Sequence, residues 1–452
     1  MLSAYLEDAS GYRGEADAVH VPANESELRE ILVAASRSQT PVTIAGAGTG
    51  VTGGRVAHGG WVVSLEKFKQ IDIREGQATA GAGVLLRDLQ AAAARTRQFY
   101  APDPTETSAS IGGTIATNAS GSRSFRYGDT RRHVLSLRVM LIDGRVLDVH
   151  RRDPCDFQYD EVPAPVTTKN TAGFYLRRGM DALDVFIGSE GTLGVVTQAT
   201  LRLLPKPAGL LTGVVFFAQD EDALSAVDAW REVVLLRMLE YLDAGSLYLL
   251  RHVYSEIPSA ARAALLIEQE TESESDLDVD RWLERLESAR ALATESWFGT
   301  DDGDRESFRR FRHALPERVN DEVRRRGLMK MGTDFAVPVS QNRAMMARYR
   351  ARLEDAFPRK YVIFGHIGDA HVHANLLPHT AEEAAQAQQV ILSLARDAVA
   401  LGGTVSAEHG LGKRKAHLLS LQFTPKQIEA MRQVKRHFDP DWLLGRGTLF
   451  QV

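Results

Sequence analysis

Gly46-Ala47-Gly48-Thr49-Gly50-Val51-Thr52-Gly53-Gly54 is the stretch on which the fold depends. It follows a β-branched run, 41–45, that reads as a strand. A formal GxGxxG falls on Gly48, Gly50 and Gly53. A dinucleotide fingerprint of that kind needs a helix to begin at the turn, its N-terminus facing the pyrophosphate. Here the following residues, RVAHGGWVVSL, run through more glycine into another strand over 61–65. No GK[ST] follows, so a P-loop is excluded. What remains is a nest of backbone N–H groups with no side chains to keep phosphates away.

Two more tracts share this character. Pro102-Asp103-Pro104-Thr105 leads into SASIGGTIATNASGSRSFRYGD, which carries Ser108, Gly112, Gly113, Thr117, Asn118 and Gly121. The third is GSEGTLGVVT, with Gly188, Glu190, Gly191, Val195 and Val196. Small residues over such lengths cannot build a core, but they let a flat, extended ligand lie against backbone. Around them the spacing predicts strands at 18–21 and 195–204 and helices at 24–36 and 85–96. Asn24 is the N-cap of the first helix, with Glu27 placed for a capping box. Residues 135–149 read as a hairpin across Asp143-Gly144.

After Pro205-Lys206-Pro207 the texture changes. Strands are expected over 210–217, 263–269, 333–337 and 362–364, with a short element beginning at 240–243. Helices are expected over 222–235, 281–292, 304–326 and 381–401, and a helix plus extended tail from Pro425. TESESDLD, 271–278, reads as a surface loop. Strands alternating with helices over some two hundred residues indicate an α+β sheet domain.

This second half gathers metal-ligand side chains, in FGHIGDAHVHAN (364–375) and AEHGLGKRK (407–415). Imidazole and carboxylate suit zinc or a similar first-row cation. On a strand, His371, His373 and Asn375 share one face. His371 is then an added ligand, a substrate contact or a neighbour.

Composition bounds the rest. The 452 residues are 44% apolar, enough for a substantial core, and the formal charge of −5 gives no general attraction to nucleic acid or anionic membrane. Arg324-Arg325-Arg326 and Lys413-Arg414-Lys415 are local basic clusters. One cysteine, Cys155, excludes an intrachain disulfide and any internal iron–sulfur relay. No signal-like or bilayer-length apolar run is present. The reading is a cytoplasmic protein with no integral membrane segment, peripheral membrane contact remaining open.

Taken in order, GAGTGVTGG, DPTETSASIGGTIATNASG, YGD and GSEGTLGVVT resemble the FAD-binding domain of the vanillyl-alcohol oxidase superfamily, PCMH type. GHIGDAHVH and AEHGLG resemble the C-terminal half of its D-2-hydroxyacid dehydrogenase branch. The resemblance implies an α+β fold: an FAD-binding domain over 1–207, a substrate-binding cap over 208–420, and a helix and tail over 421–452 returning to the first domain. It implies FAD with its pyrophosphate on Gly46, Ala47, Gly48, Thr49, Gly50, Gly53 and Gly54. The ring would lie near Pro104, Thr105, Ser108, Gly112, Gly113, Thr117, Asn118 and Gly121, and near Gly188, Glu190, Gly191, Val195 and Val196. Covalently flavinylated members often carry histidine in the first loop, where this chain has Thr49, so FAD is expected to be non-covalent. Ala45 stands where arginine often precedes that loop.

For the metal, the resemblance carries His366, His373 and Glu408 over as ligands, zinc being preferred and Mn2+ or Fe2+ the alternatives. Ala370-His371 replaces the usual Gly-Asn. The implied reaction is oxidation of a D-2-hydroxy acid to the 2-oxo acid by hydride transfer to flavin N5. The cation activates the hydroxyl and His409 is the general base. Asn375 and Arg312 bind substrate, with Arg309 and Arg310 as neighbouring options. Gly332 stands where hydroxyglutarate dehydrogenases carry lysine two residues before the equivalent of Asp334, and Lys330 lies two residues earlier still. That arrangement favours a smaller, D-lactate-like acid. Arg446 is a further candidate from the tail. Electrons would pass to a quinone, electron-transfer flavoprotein, cytochrome or iron–sulfur partner. The rivals are a non-redox flavin transferase of the alkyl-dihydroxyacetone-phosphate synthase type and a flavin-holding subunit of an electron-transfer complex.

Overall fold

Strand Val42–Ala45, which delivers the chain into the glycine turn, pairs in parallel with Trp61–Ser64, and that strand pairs in parallel with Ala18–His20. The computed structural model describes residues 2–233, 235–272, 279–329 and 331–450. Helix Glu25–Arg37 covers the small sheet through Leu28, Leu32 and Ala35. Asn24 caps it, accepting the Glu27 amide at 3.0 Å. The reciprocal half of the expected capping box is displaced by one residue, because the Glu27 carboxylate accepts from the Ala23 amide at 2.7 Å. No helix opens at the glycine turn.

A second, antiparallel sheet has the order Ile71–Arg74, Gln77–Gly81, Val195–Arg202, Val134–Met140, Val146–His150. Its last two strands are the hairpin expected across Asp143-Gly144. Helix Ile111–Ala116 runs through the paired glycines of the second tract, for which the sequence reading has no element. Ser110 caps it through the Gly113 amide at 3.3 Å. Gly112 lets it approach the sheet, since a Cβ there would meet the Ala82 side chain at 2.8 Å.

From residue 209 the chain builds an eight-stranded antiparallel sheet among the described residues. Its order is Trp297–Gly299, Gly209–Phe217, Ala263–Thr271, Leu236–Leu242, Tyr361–Gly365, His371–Leu376, with Met331–Gly332 and Phe335–Ala336 both pairing to the last. Both faces are covered. Val214, Phe216 and Leu266 pack with Phe311, Leu315 and Val319 of helix Asp302–Arg324. Val215, Phe217 and Leu265 join the other core with Ala223, Val227 and Trp230 of helix Asp220–Trp230. Two-sided burial is why 210–217 reads as an apolar run broken only at Thr212-Gly213.

The helix expected to reach residue 235 stops at Trp230, and Leu236–Leu242 re-enters the sheet as a central strand. Only its end is legible in sequence. The strand expected over 333–337 shrinks to Phe335–Ala336, because Asp334 turns inward to serve the site described below. Helix Asn342–Ala356 has no counterpart in the sequence reading. Arginines interrupt its buried positions, Met345, Met346, Tyr349 and Leu353. Most of the polar tract 271–278 lies outside the described residues, as does Lys330.

Helix Pro425–Phe438 opens on a Thr424/Gln427 capping box. Beyond it the Val42 amide donates to the Leu443 carbonyl, and the Gly445 amide to the Val42 carbonyl, each at 2.8 Å. No helix among the described residues is long and apolar enough to cross a membrane.

Candidate active site

A cavity of about 1760 Å³ runs from the glycine turn to the histidine-bearing edge of the large sheet. Of the cofactor residues expected from sequence, Gly46, Ala47, Gly48, Thr49, Gly50, Gly54, Pro104, Thr105, Gly112, Gly113, Thr117, Gly121, Glu190, Gly191, Val195 and Val196 line it. Gly53, Ser108, Asn118 and Gly188 do not. Each of the four is occupied otherwise. The Gly53 amide donates to Asp8 at 2.9 Å, and the Ser108 hydroxyl donates to Glu106 at 2.6 Å. The Asn118 amide group donates to Asp129 at 2.8 Å, while the Gly188 amide donates to the Ile115 carbonyl at 2.9 Å.

The turn itself is an unfilled set of donors. The amides of Gly48, Thr49, Gly50, Val51 and Thr52 have no acceptor among the described residues. Five successive free N–H groups are the electrostatic requirement for seating a pyrophosphate. Gly48 has φ +82°, and a Cβ there would lie 2.7 Å from the Arg55 guanidinium. Arg55 donates to the Gly46 carbonyl at 2.8 Å, so a cation stands beside the cradle although Ala45 precedes it. The run Lys413-Arg414-Lys415 is no free patch: the amides of Lys413 and Arg414 donate to Thr52 at 3.1 Å, and Lys413 Nζ donates to Gly54 at 3.2 Å. These observations fit an anionic cofactor on this wall.

The opposite wall is made by a hairpin. Strand Tyr361–Gly365 turns through Ile367–Asp369 into His371–Leu376, and Phe364 faces His373 in register. Ala370 closes the turn in the left-handed region, φ 50°. His366 and His373 thereby converge on Glu408, each Nε2 lying 3.2 Å from the same carboxylate oxygen. Their other ring nitrogens are engaged. His366 Nδ1 bonds Glu240, and His373 Nδ1 lies 3.1 Å from the Thr333 carbonyl. Fixing Nδ1 in this way leaves both Nε2 atoms aimed at one point, the usual outer support of a metal ligand. His371 brings a third imidazole, and one donor atom from each of His366, His371, His373 and Glu408 lies within 4.8 Å of the others. The donor set fits a divalent cation.

Several partners have no motif in the sequence. Lys169, 2% exposed, donates to Glu408 at 3.1 Å and to the Gly121 carbonyl at 3.2 Å. Burial pulls its pKa down, but Glu408 and Asp369 outweigh that and hold it above the usual lysine value. Ser120 donates to Glu408 at 3.0 Å, across 288 positions of chain. Burial alone would raise Glu240, yet Arg312 and His366 hold it well below the usual carboxylate range. Asp334, wholly buried, accepts from Ser406 Oγ at 2.9 Å and the His409 amide at 3.0 Å, fixing the loop that carries Glu408 and His409.

His409 stacks on His373, ring centroids 5.3 Å apart, and its ring borders the cavity. Burial lowers its pKa to about 4, so at neutral pH the ring is uncharged and can accept a proton. Arg312 lines the cavity, donating to Glu240 at 2.5 Å and to Thr105 at 3.3 Å. Arg309 is exposed and paired with Glu306, and Arg310 is exposed. Asn375 lines the cavity opposite Gly332, where a Cβ would come within 2.7 Å of the side-chain Oδ1 of Asn375. Arg446 is exposed and does not border the cavity. Its place between Gly445 and Gly447, both at positive φ, puts it on a surface turn.

Comparison with known proteins identifies the family. Residues 206–449 match the family model for FAD linked oxidases, C-terminal domain, and residues 16–150 match an FAD binding domain. The chain is similar to a D-lactate dehydrogenase of Archaeoglobus fulgidus, 32% identical over 95% of this chain and 90% of that one. It is similar to a glycolate oxidase subunit of Bacillus subtilis, 30% identical over 97% and 90%. A D-2-hydroxyglutarate dehydrogenase of Xanthomonas citri is 30% identical over 96% and 89%. A solved alkyldihydroxyacetonephosphate synthase superposes with TM-score 0.67 at 16% identity, covering 94% of this chain and 76% of that one. That last likeness is one of fold alone, and it agrees with the α+β, PCMH-type reading of the sequence. The chain belongs to the FAD-linked oxidases.

Proposed function

We propose that the protein oxidises a D-lactate-like 2-hydroxy acid to the 2-oxo acid, using non-covalent FAD and a divalent cation, zinc first, on His366, His373 and Glu408. The observation that carries this reading is the sharing of one cavity: five free amides border one end, and two imidazoles aimed at one carboxylate border the other. When bound, FAD supplies the acceptor for the hydride leaving Cα, and the cation supplies a Lewis acid and template for the substrate oxygens.

The chain's own residues do the rest. His409 takes the hydroxyl proton, its neutral ring being held by the loop that Asp334 fixes. Arg312 offers the guanidinium edge left over from Glu240 and Thr105 to the substrate carboxylate. Asn375 hydrogen-bonds the substrate from the neighbouring strand. Lys169 balances Glu408, so the carboxylate keeps its charge inside the protein. Gly332 places no cation against the far end of the substrate, which favours a short acid over a dicarboxylate. The acceptor of the electrons is a quinone, electron-transfer flavoprotein, cytochrome or iron–sulfur partner.

A panel of D- and L-2-hydroxy acids assayed with an artificial dye, with and without chelator, tests the reading. Dye reduction with a short D-acid, lost on chelation and regained with zinc, is expected. Reduction indifferent to chelator would remove the cation from the mechanism. No reduction by any hydroxy acid would remove the activity.

A further inference from the structure

His371 is the one imidazole of the cluster whose needs the protein does not meet. Its side chain is 0% exposed, and neither ring nitrogen has a hydrogen-bond partner among the described residues. The nearest charged atom, Asp334 Oδ1, lies 3.2 Å from Nε2 but outside hydrogen-bond geometry. A neutral imidazole carries one N–H donor and one lone pair, and sealing both from water unpaired is costly. His366 and His373 do not share this problem, since their Nδ1 atoms are bonded to Glu240 and Thr333.

The orphaned ring sits among the proposed ligands. Its centroid is 5.2 Å from that of His366 and 4.6 Å from that of His373. One of its nitrogens lies within 4.8 Å of the donor atoms of His366, His373 and Glu408. A lone pair that accepts from no donor among the described residues, buried beside three convergent ligand atoms, has the chemistry of a metal ligand.

We propose that His371 is a fourth protein ligand, so that three imidazoles and one carboxylate hold the cation. This rests on the cation reading given above. Zinc held by four protein donors can admit a substrate oxygen only as a fifth ligand, an expansion that zinc tolerates. The extra imidazole thus trades room at the ion for a firmer grip on it.

The test uses the full chain with FAD and zinc bound. X-ray absorption at the zinc edge of the unmutated protein should count three imidazoles. A count of two would overturn the proposal while leaving the cation reading standing. Competition titration with a chromophoric chelator should show zinc held ~10–100-fold more weakly by His371→Asn and His371→Gln, a ligand being worth at least as much as an outer support. Unchanged affinity in a variant with wild-type flavin content and melting temperature would likewise overturn it. Wild-type protein that takes up no zinc at all would sink the cation reading and this proposal with it.

Discussion

On the wall formed by 46–54, the working groups are five consecutive backbone amides. On the facing wall they are side chains delivered from Lys169, Glu240, Asp334, His366, His373 and Glu408, residues scattered over most of the chain. The difference lies in what each wall asks of the sequence. A backbone site needs only the absence of side chains and a permissive φ, so it is written locally and tolerates exchange of its non-glycine members. A side-chain site needs particular groups at particular places, so a single exchange leaves a buried charge without its partner. The histidine wall should therefore break sharply and the glycine wall should weaken by degrees.

The sharpest break is expected from Glu408→Gln. The variant should lose bound metal and measurable turnover together. Lys169 would keep only the Gly121 carbonyl and one carboxylate, Asp369, 3.6 Å away, so the melting transition should also record a loss of about 3 kcal/mol. Elemental analysis, turnover and a melt read the three consequences separately. Retained metal in this variant would show that the carboxylate is not a ligand.

His409→Asn sits next to that ligand and should behave differently. Turnover should fall by about 10²–10⁴-fold with metal and flavin content unchanged. A drop in metal content would reassign His409 from base to ligand.

The glycine wall supplies the graded counterpart. Gly48→Ala must adopt φ +82° and press its methyl on Arg55, whereas Gly59→Ala has similar φ, +83°, and open space around it. Both pay about 1–2 kcal/mol of backbone strain. Only Gly48→Ala should weaken FAD, by roughly tenfold for a 1.4 kcal/mol loss. Reconstitution of apoprotein, followed by quenching of FAD fluorescence, distinguishes them. Equal FAD affinity in the two variants would detach the cradle from the cofactor.

Two smaller effects sharpen the contrast. Ala370 holds φ 50°, a conformation that glycine adopts without strain, so Ala370→Gly should raise stability by about 0.5–1 kcal/mol in a thermal melt. Glu190 spans the two walls, bordering the cavity while accepting the amides of Leu411 and Gly412 at 2.9 and 2.8 Å. Burial pushes its pKa up to about 7 from an ordinary 4.5. A raised folded-state pKa means that the protonated form favours the fold, fully below pH 4.5, with that advantage lost as pH rises through 7. Relative to Glu190→Gln, the wild type should lose stability between pH 5 and 8. Glu190 is only half-buried, so solvent screening keeps the loss to about 1 kcal/mol or less.

The same contrast explains what the sequence could disclose. The glycine turns, the strands around them, the hairpin at Asp143-Gly144 and the clustered histidines were legible because each is a local pattern with a local physical cause. Lys169 was not, because a lone lysine in TTKNTAG is ordinary until folding sets it against a carboxylate 239 positions away. Glu240 lies in a strand whose first residues, 236–239, the sequence leaves unassigned between an expected helix and a short element, and Asp334 is only a landmark for Gly332 in the sequence although its buried carboxylate tethers the 406–409 loop. Ser108, Asn118 and Gly188 share the composition of the cofactor tracts, yet they shape those loops without bordering the cavity. Composition identifies a tract; only the path of the backbone says which of its members face inward.

That the amide cradle and the histidine cluster serve one reaction is tested most directly by mixing the FAD-bound protein anaerobically with D-lactate and following the visible flavin band, before and after metal removal. Prompt bleaching by the metal-loaded protein, slowed by a hundredfold or more on stripping and restored by zinc, is the predicted result, in line with the several kcal/mol a Lewis acid contributes. Bleaching at the same rate with and without metal, or none with any short 2-hydroxy acid, would contradict it.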